Sequence, residues 1–258
     1  MAGLRPGRWV LLLAWLHAAS AAAQIVNVQA LFDEKAPPGP SGAVDLGADW
    51  RTGSTNLFTV RGALLGQWRT ETHTLLAAIR GEYAFASGER IVSKVLEHLR
   101  YRYRFTERLS GEAFVQHEYD EFRRLQLRAL LGAGPRLTLL RVDDTTLVLG
   151  VAVMLEHERL RRDGEPDAGA RATDPRMSSY LLGRVKLMEN IHLVETVYVQ
   201  PRLTKPSDIR VLNDTVFEVT PNERVTVGLG FNLTFDSAPP ATVSRLDTQL
   251  RTSVGIRL

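Results

Sequence analysis

The stretch Leu246-Asp-Thr-Gln-Leu-Arg-Thr-Ser-Val-Gly-Ile-Arg-Leu258 decides the fold class of this chain. Its even-numbered positions are apolar or threonine, and its odd-numbered positions are mostly polar, with Asp247, Gln249 and Arg251 among them. This alternation is the period of a β-strand with one apolar and one polar face. Because it continues to the last residue, we expect the terminus to be held in a sheet, as in outer-membrane β-barrels. The predicted assembly signal is the apolar set Leu250, Val254, Ile256 and Leu258.

The other end of the chain has the pattern of an export signal. Arg5 and Arg8 precede the apolar segment Trp9–Leu16, and Ala21–Ala23 supplies a small-residue cleavage site. We therefore expect residues 1–23 to be a signal peptide cleaved after export by the Sec pathway. The apolar segment is too short to span a bilayer as a helix, although an N-terminal anchor is the alternative. The chain contains no cysteine, which excludes a lipoprotein signal and disulfides.

Composition narrows the class further. The formal net charge of +3 includes Arg5 and Arg8, so the chain after the signal peptide carries about +1, which does not indicate nucleic-acid binding. No later apolar run is long enough for a transmembrane helix. A membrane protein without such helices has to be a closed barrel, because lipid cannot satisfy open backbone groups. We expect residues 24–41 to form a periplasmic segment or linker and residues 42–258 to form the barrel.

Alternating residues and turn signals predict an all-β, transmembrane, antiparallel up-and-down β-barrel of about 12 strands. Short turns should lie at the periplasmic end. The loops near Leu160–Arg176, Pro201–Ser207 and Ser237–Ser244 should lie outside the cell. The predicted strands are about Ala43–Thr52, Thr55–Arg69, Thr72–Ala86, Ile91–Phe105, Leu109–Tyr119, Arg124–Thr138, Thr145–Glu158, Met177–Met188, Ile191–Gln200, Asp208–Val219, Val225–Phe235 and Leu246–Leu258.

Aromatic and charged residues follow the two faces of these strands. Two aromatic girdles should lie at the membrane interfaces, as in other transmembrane barrels. Their predicted members are Trp50, Tyr83, Phe85 and Phe235 at the outer end and Trp68, Tyr101, Tyr103 and Phe217 at the inner end. The lumen should hold a network of opposite charges, comprising Arg80, Glu82, His98, Arg100, Arg102, Glu112, Glu118, Arg124, Arg128, Glu156, Arg184, Lys186, Asp208, Arg210, Asp214 and Arg251.

Several stretches resemble the DUF481 family, labelled putative salt-induced outer-membrane proteins and including the YdiY-like proteins. The resembling segments cover most of the predicted barrel and are His98–Arg104, Glu112–Asp120, Phe122–Gly132, Gln200–Pro201, Ser207–Asp208, Asp236–Pro240 and Asp247–Thr248. The resemblance implies an outer-membrane barrel, with no assigned substrate or catalytic residue. One departure is the last residue. Such barrels usually end on phenylalanine, and this chain ends on Leu258.

Three functions remain open at this stage. The first is a barrel with a salt-bridged lumen and an envelope role in salt or osmotic response, and the second is a narrow porin-like channel for small polar or charged solutes. A surface enzyme acting on lipid or peptide is the third, but no nucleophile, phosphate-loop or metal-binding pattern supports it. We expect no catalytic residue, cofactor or metal. The expected partners are outer-membrane lipid or lipopolysaccharide, together with the barrel-assembly machinery and periplasmic chaperones.

Overall fold

The structure is a computed structural model that describes residue 27 and residues 38–53, 56–222 and 225–256. These residues form one antiparallel sheet in which every strand pairs with its neighbours along the chain, which confirms the predicted all-β, up-and-down architecture. The strands are β1 (Gly39–Arg51), β2 (Leu57–Arg69), β3 (His73–Ala86), β4 (Glu89–Arg104), β5 (Leu109–Asp120), β6 (Leu125–Val142), β7 (Thr145–Leu160), β8 (Arg171–Met188), β9 (Ile191–Arg202), β10 (Lys205–Asn222), β11 (Val225–Asp236) and β12 (Leu246–Ile256).

The two faces of the sheet are inverted relative to a water-soluble protein. In β4, Leu99 and Tyr101 are exposed on the outer face, whereas His98, Arg100 and Arg102 are buried on the inner face. The same inversion holds along β5 to β8, because the residues that alternate with exposed leucine and valine are buried and often charged. The apolar face of these strands therefore needs a partner other than water.

The inner face also contains two small apolar clusters. Val148, Tyr180, Tyr198 and Leu212 form one cluster, contributed by β7 to β10. Phe114, Leu130 and Met154 form the other, contributed by β5 to β7. Glycines make room for these rings. A Cβ atom at Gly150 would lie 2.1 Å from the ring of Tyr180, so this position has to remain glycine for the ring to keep its place.

The connections differ between the two ends of the sheet. The end that we name the short-turn end carries the connections after β2, β4, β6, β8 and β10, none of which is long. The opposite end, named the long-loop end, carries two longer connections, residues 161–170 and 237–245. The predicted distribution of short and long connections is therefore present in the structure.

Three predicted boundaries were wrong. β1 begins at Gly39, inside the segment expected to be a linker, since prolines are tolerated at the start of a terminal strand. β8 begins at Arg171, so the loop expected at Leu160–Arg176 is shorter. The segment Pro201–Ser207 is mostly strand, because β9 continues to Arg202 and β10 begins at Lys205, with an irregular register between Lys205 and Ile209.

Alternation through the predicted sixth strand turns Arg124, Gln126 and Arg128 inward and Leu125 and Leu127 outward, and this predicted phase was wrong at the start of the strand. Arg124 lies in the turn before β6 with a φ of 59°, and a register shift follows between Leu125 and Leu127. As a result Leu125 is buried and Gln126 is exposed, the opposite of the predicted phase. In β9, Thr196, Tyr198 and Gln200 are buried, which defines the inward phase of this strand.

β1 and β12 are the two edge strands of the sheet. The backbone pairing expected between the first and last strands is not found within the described ranges, where pairing runs from β1 through to β12. In the same part of the chain, no helix has the length and apolar character needed to cross a membrane.

Candidate functional site

The carboxylate of Glu156 accepts hydrogen bonds from three arginines on the inner face. Arg128 donates to its Oε2 through Nε at 2.9 Å and through Nη2 at 2.7 Å. Arg176 donates to Oε1 at 3.0 Å, and Arg210 donates to Oε2 at 2.6 Å. Glu156 lies on β7 and Arg210 on β10, so this ion pair joins two strands that are not neighbours. The side chain of Glu156 is only 3 % exposed, so its charge depends on these three guanidinium groups.

Further carboxylates neutralise the arginines around Glu156. Arg210 also contacts Asp236 at 2.9 Å and Glu158 at 3.0 Å. Arg176 also contacts Asp208 at 2.8 Å. Through Asp208 the network reaches Arg202, which in turn pairs with Asp174, and through Arg128 it reaches Glu118. Four arginines and six carboxylates therefore pair with one another in this network, and such pairing is the condition for burying charge. We name this set the central network.

A second carboxylate, Glu112, is shared by three arginines nearer the short-turn end. Arg100 contacts its Oε2 at 3.0 Å, Arg102 contacts its Oε1 at 2.8 Å, and Arg136 lies 3.7 Å from Oε1. The hydroxyl of Tyr180 donates to Oε2 at 2.8 Å and links β8 to β5 across the inner face. Glu112 is therefore held by three guanidinium groups and one hydroxyl, contributed by β4, β6 and β8.

Arg124 joins two loops at the long-loop end. Its guanidinium contacts Asp163 at 2.7 Å and also Asp167, both in the loop 161–170. It donates to the backbone oxygen of Ala241 at 2.8 Å, in the loop 237–245. The hydrogen bond from Arg124 lowers the pKa of Asp163 from 3.8 to about 2. The same contact raises the pKa of Arg124, so both groups are charged at neutral pH and hold the two loops together.

Most of the predicted charged residues lie on the inner face, but their surroundings differ. The buried ones are His98, Arg100, Arg102, Glu112, Glu118, Arg124, Arg128, Glu156, Asp208, Arg210 and Asp214. Glu82 pairs with Lys94 at 3.0 Å and Arg184 with Glu218 at 3.0 Å, in half-exposed positions. Arg80 and Lys186 are exposed. The side chain of Arg251 lies outside the described residues.

Two predicted residues have partners that the strand pattern did not suggest. The imidazole Nδ1 of His98 lies 3.0 Å from the side-chain oxygen of Gln116, and Arg100 donates to its other nitrogen. Asp214 accepts a hydrogen bond of 2.8 Å from Asn27, which lies in the segment before β1. This contact places Asn27 against the inner face of β10.

The predicted aromatic residues occupy the outer face at both ends of the strands. Trp50, Trp68, Tyr83, Tyr101, Tyr103 and Phe217 are exposed, and Phe85 and Phe235 are half-buried. Tyr83 and Phe85 are in edge-to-face contact near the β3–β4 hairpin. In the predicted assembly signal, Leu250 is 70 % exposed. The side chains of Val254 and Ile256, and the whole of Leu258, lie outside the described residues.

Several charged residues of the inner face were absent from the predicted charge network. Arg176 precedes the predicted start of its strand, so its phase was not considered, although it alternates with Ser178 and Tyr180. Arg136 lies inside the predicted sixth strand, but it was not included in the predicted charge network. Extending the phase of Arg128 along β6 would have found Arg136. The acidic residues Glu158 and Asp236 stand at strand ends, where boundaries are hardest to predict.

The carboxylates of the inner face are not arranged as a cluster of metal ligands in the described part of the chain. Across the described ranges, no group of three or more histidine, cysteine, aspartate or glutamate residues could hold a metal ion. The carboxylates of the inner face are instead surrounded by arginines. The arrangement provides charge pairing and anion-attracting groups, rather than ligands for a cation.

Comparison with known proteins gives one family and several structures of low similarity. The DUF481 family, described as "Protein of unknown function", matches residues 44–257. The chain matches no curated protein. The NanC porin has a TM-score of 0.49 at 10% identity, covering 84% of this chain and 100% of that one.

Two further structures have similarly low scores. The translocator domain of the autotransporter NalP from Neisseria meningitidis has a TM-score of 0.46 at 12% identity, with 87% and 90% of the two chains covered. The KdgM porin has a TM-score of 0.40 at 10% identity, with 85% and 99% covered. These values are too low to assign a function.

Proposed function

Because the chain belongs to the DUF481 family, whose function is unknown, we propose its role from its own inner face. It is a transmembrane β-barrel of the bacterial outer membrane whose lumen is closed to bulk solutes by the central network. The proposal adds a pairing of β12 with β1 in the membrane, which closes the barrel and makes the inner face of the sheet its lumen.

The outer face supports insertion into lipid. Leu64, Leu131, Val153 and Leu155 are each at least half exposed, and they belong to a longer series of exposed leucine, valine and aromatic residues. Water would penalise so large an apolar surface, at about 25 cal/mol per Å². Lipid removes that penalty, while the antiparallel pairing of the strands satisfies the backbone, as a transmembrane segment requires.

The observation that carries the proposal is the convergence of three arginines on Glu156. The contact between Arg210 and Glu156 spans non-neighbouring strands, and so does the contact between Arg176 and Asp208. Groups at hydrogen-bond distance exclude water from between them, and these contacts therefore support a closed lumen at this level. The buried hydrogen bond from Tyr180 to Glu112 joins β8 to β5 nearer the short-turn end, and it supports a closed lumen at that level too.

Conductance measurements on the refolded full chain in planar lipid bilayers test this proposal. We expect no steady porin-sized conductance from the native chain. The double variant Glu156→Ser with Arg210→Ser removes both charges of one cross-lumen pair and should increase conductance. Glu97→Gln, on the outer face, is the matched control and should leave conductance unchanged. Steady conductance of the native chain at porin level would contradict the closed lumen.

A narrow porin-like channel for small charged solutes is the second candidate. A cavity of about 60 Å³ at the short-turn end favours it, since this part of the inner face is not filled. Selective conductance of anions by the native chain, small but steady, would favour this candidate over a closed lumen.

The same proposal covers the export, the partners and the physiological role of the barrel. We place it after Sec export with a cleaved signal peptide, contacting lipopolysaccharide and the assembly machinery, without enzymatic activity. We also propose an envelope role under salt or osmotic stress, after the label attached to the family that the sequence resembles. Growth of a deletion strain across a range of salt concentrations tests that role, and unchanged growth would contradict it.

A further inference from the structure

Two arginines lie directly opposite each other on the outer face of the sheet, at the long-loop end. Arg159 is the last residue but one of β7, Arg171 is the first residue of β8, and the two are partners in the antiparallel pairing of these strands. Side chains in such positions have Cβ atoms about 4.5–5.5 Å apart, and like charges at that separation repel each other. An anion held between the two guanidinium groups would remove this repulsion.

The carboxylates close to this pair in sequence are engaged elsewhere. Within the described ranges, neither guanidinium takes part in an ion pair, and Nε of Arg159 has no hydrogen-bond partner. Glu165, in the loop between the two strands, forms no ion pair with either arginine. The other acids in and beside this loop pair with different arginines: Glu158 with Arg210, Asp163 and Asp167 with Arg124, and Asp174 with Arg202. Both guanidinium groups are therefore able to turn towards a ligand.

The outward residues along β7 change from apolar to polar to charged towards the long-loop end. Val153 and Leu155 are at least half exposed. The next outward residue is His157, whose Nδ1 atom lies 2.8 Å from Oγ1 of Thr173 on β8, and the arginine pair follows. Charged outward residues are tolerated near the interfaces of a transmembrane barrel and are costly at its middle. This order of residues therefore fits the boundary between hydrocarbon and lipid headgroups.

We propose that Arg159 and Arg171 bind the phosphate of a lipid headgroup, with the acyl chains of the lipid lying along Val153 and Leu155. The inference rests on the proposed membrane placement, in which the long-loop end faces outside the cell. Arginine donates parallel hydrogen bonds to phosphate oxygens, and basic side chains at a membrane surface bind anionic headgroups. In the outer leaflet of an outer membrane, the lipid with this chemistry is lipopolysaccharide, through the phosphates of its lipid A.

Native mass spectrometry of the full chain, refolded in micelles of an uncharged detergent, tests the site with diphosphorylated lipid A as the probe. We expect saturable binding of lipid A to the native chain. The double variant Arg159→Gln with Arg171→Gln should weaken that binding roughly tenfold, because each guanidinium contributes up to about one exposed charge-pair interaction. Heat-modifiable gel mobility shows whether each variant is folded. Arg171→Gln alone, at an exposed position, replaces a double variant that does not fold and should weaken binding roughly threefold.

The matched control is the double variant Arg162→Gln with Arg245→Gln. These arginines are exposed in the two loops of the same end, so removing them changes the net charge equally and should leave lipid A affinity unchanged. Equal weakening in both double variants would show a general charge effect and overturn the site. Competition by inorganic phosphate at concentrations similar to that of lipid A would overturn the lipid assignment, since the acyl chains would then contribute nothing.

The same experiment separates a failure of this site from a failure of the proposed function. A native chain that inserts into lipid vesicles and shows heat-modifiable mobility, but binds no lipid A, would overturn the site alone. A chain recovered from cells in the soluble periplasmic fraction would instead overturn the membrane placement, and the site with it.

Discussion

Replacing Glu156 with alanine is the sharpest test of the central network. The substitution leaves Arg128, Arg176 and Arg210 without their shared carboxylate, at a position where the lost side chain was 3 % exposed. Removing one partner of a buried ion pair costs about 3–5 kcal/mol, because the remaining charge stays buried without compensation. Glu118, Asp208 and Asp236 still neutralise part of that charge, so we expect a loss within that range rather than above it.

The matched control is Glu158→Ala, two residues along the same strand and on the same face. Glu158 contacts only Arg210 among the ion pairs of the described residues, and its side chain is 16 % exposed. A partly hydrated pair contributes about 0–1 kcal/mol, so this variant should lose no more than that. The two variants remove the same functional group, and they differ in the number of partners and in burial.

Urea unfolding of the chain refolded in lipid vesicles measures both losses. Tryptophan fluorescence reports the transition, and heat-modifiable gel mobility confirms that the barrel is folded before each measurement. We expect the midpoint for Glu156→Ala to fall clearly below that for Glu158→Ala, with an unchanged slope. Equal midpoints for the two variants would refute the idea that Glu156 organises the lumen.

Three other predictions follow from separate parts of the structure. Gly150→Ala places a methyl group against the ring of Tyr180 and should lower the free energy of unfolding by about 1–3 kcal/mol, measured in the same urea assay. Leu131→Arg, on the outer face, should cost about 2–4 kcal/mol in vesicles if it lies at mid-membrane, and no loss there would contradict a lipid contact. The pKa of Asp163, lowered by the hydrogen bond from Arg124, implies that this contact stabilises the folded loops above pH 3.8 and is lost as pH falls toward about 2. Hydrogen exchange of residues 161–170 should therefore accelerate across that interval, and Arg124→Gln should remove the pH dependence.

Much of the fold was predictable because a strand with an apolar side and a charged side has a simple period. In β4, the alternation of Leu99 and Tyr101 with Arg100 and Arg102 predicts both faces correctly. The prediction failed where the period is broken. At Arg124 the backbone has a positive φ, and the register shift after Leu125 moves Gln126 to the outside. The alternation of apolar and polar residues along a strand does not predict where such an irregularity occurs.

The charged residues of the inner face were predictable as a set but not as pairs. The sequence indicates that Arg210 and Glu156 share the inward phase, yet they are far apart in the chain and lie on strands that do not pair. Their contact depends on the curvature of the sheet, which brings β7 and β10 together. The same curvature places Tyr180 against Glu112. Local alternation contains no information about which residues meet across a curved sheet.

The sequence by itself therefore determined the all-β class, the inward and outward sets of most strands, and the family. These properties follow from hydrophobic alternation, which is local to each strand. Only the tertiary structure decided that three arginines share Glu156, that three others share Glu112, and that Arg124 joins two loops. The physical reason is that charge balance is a property of the assembled inner face, where residues distant in sequence come within hydrogen-bond distance.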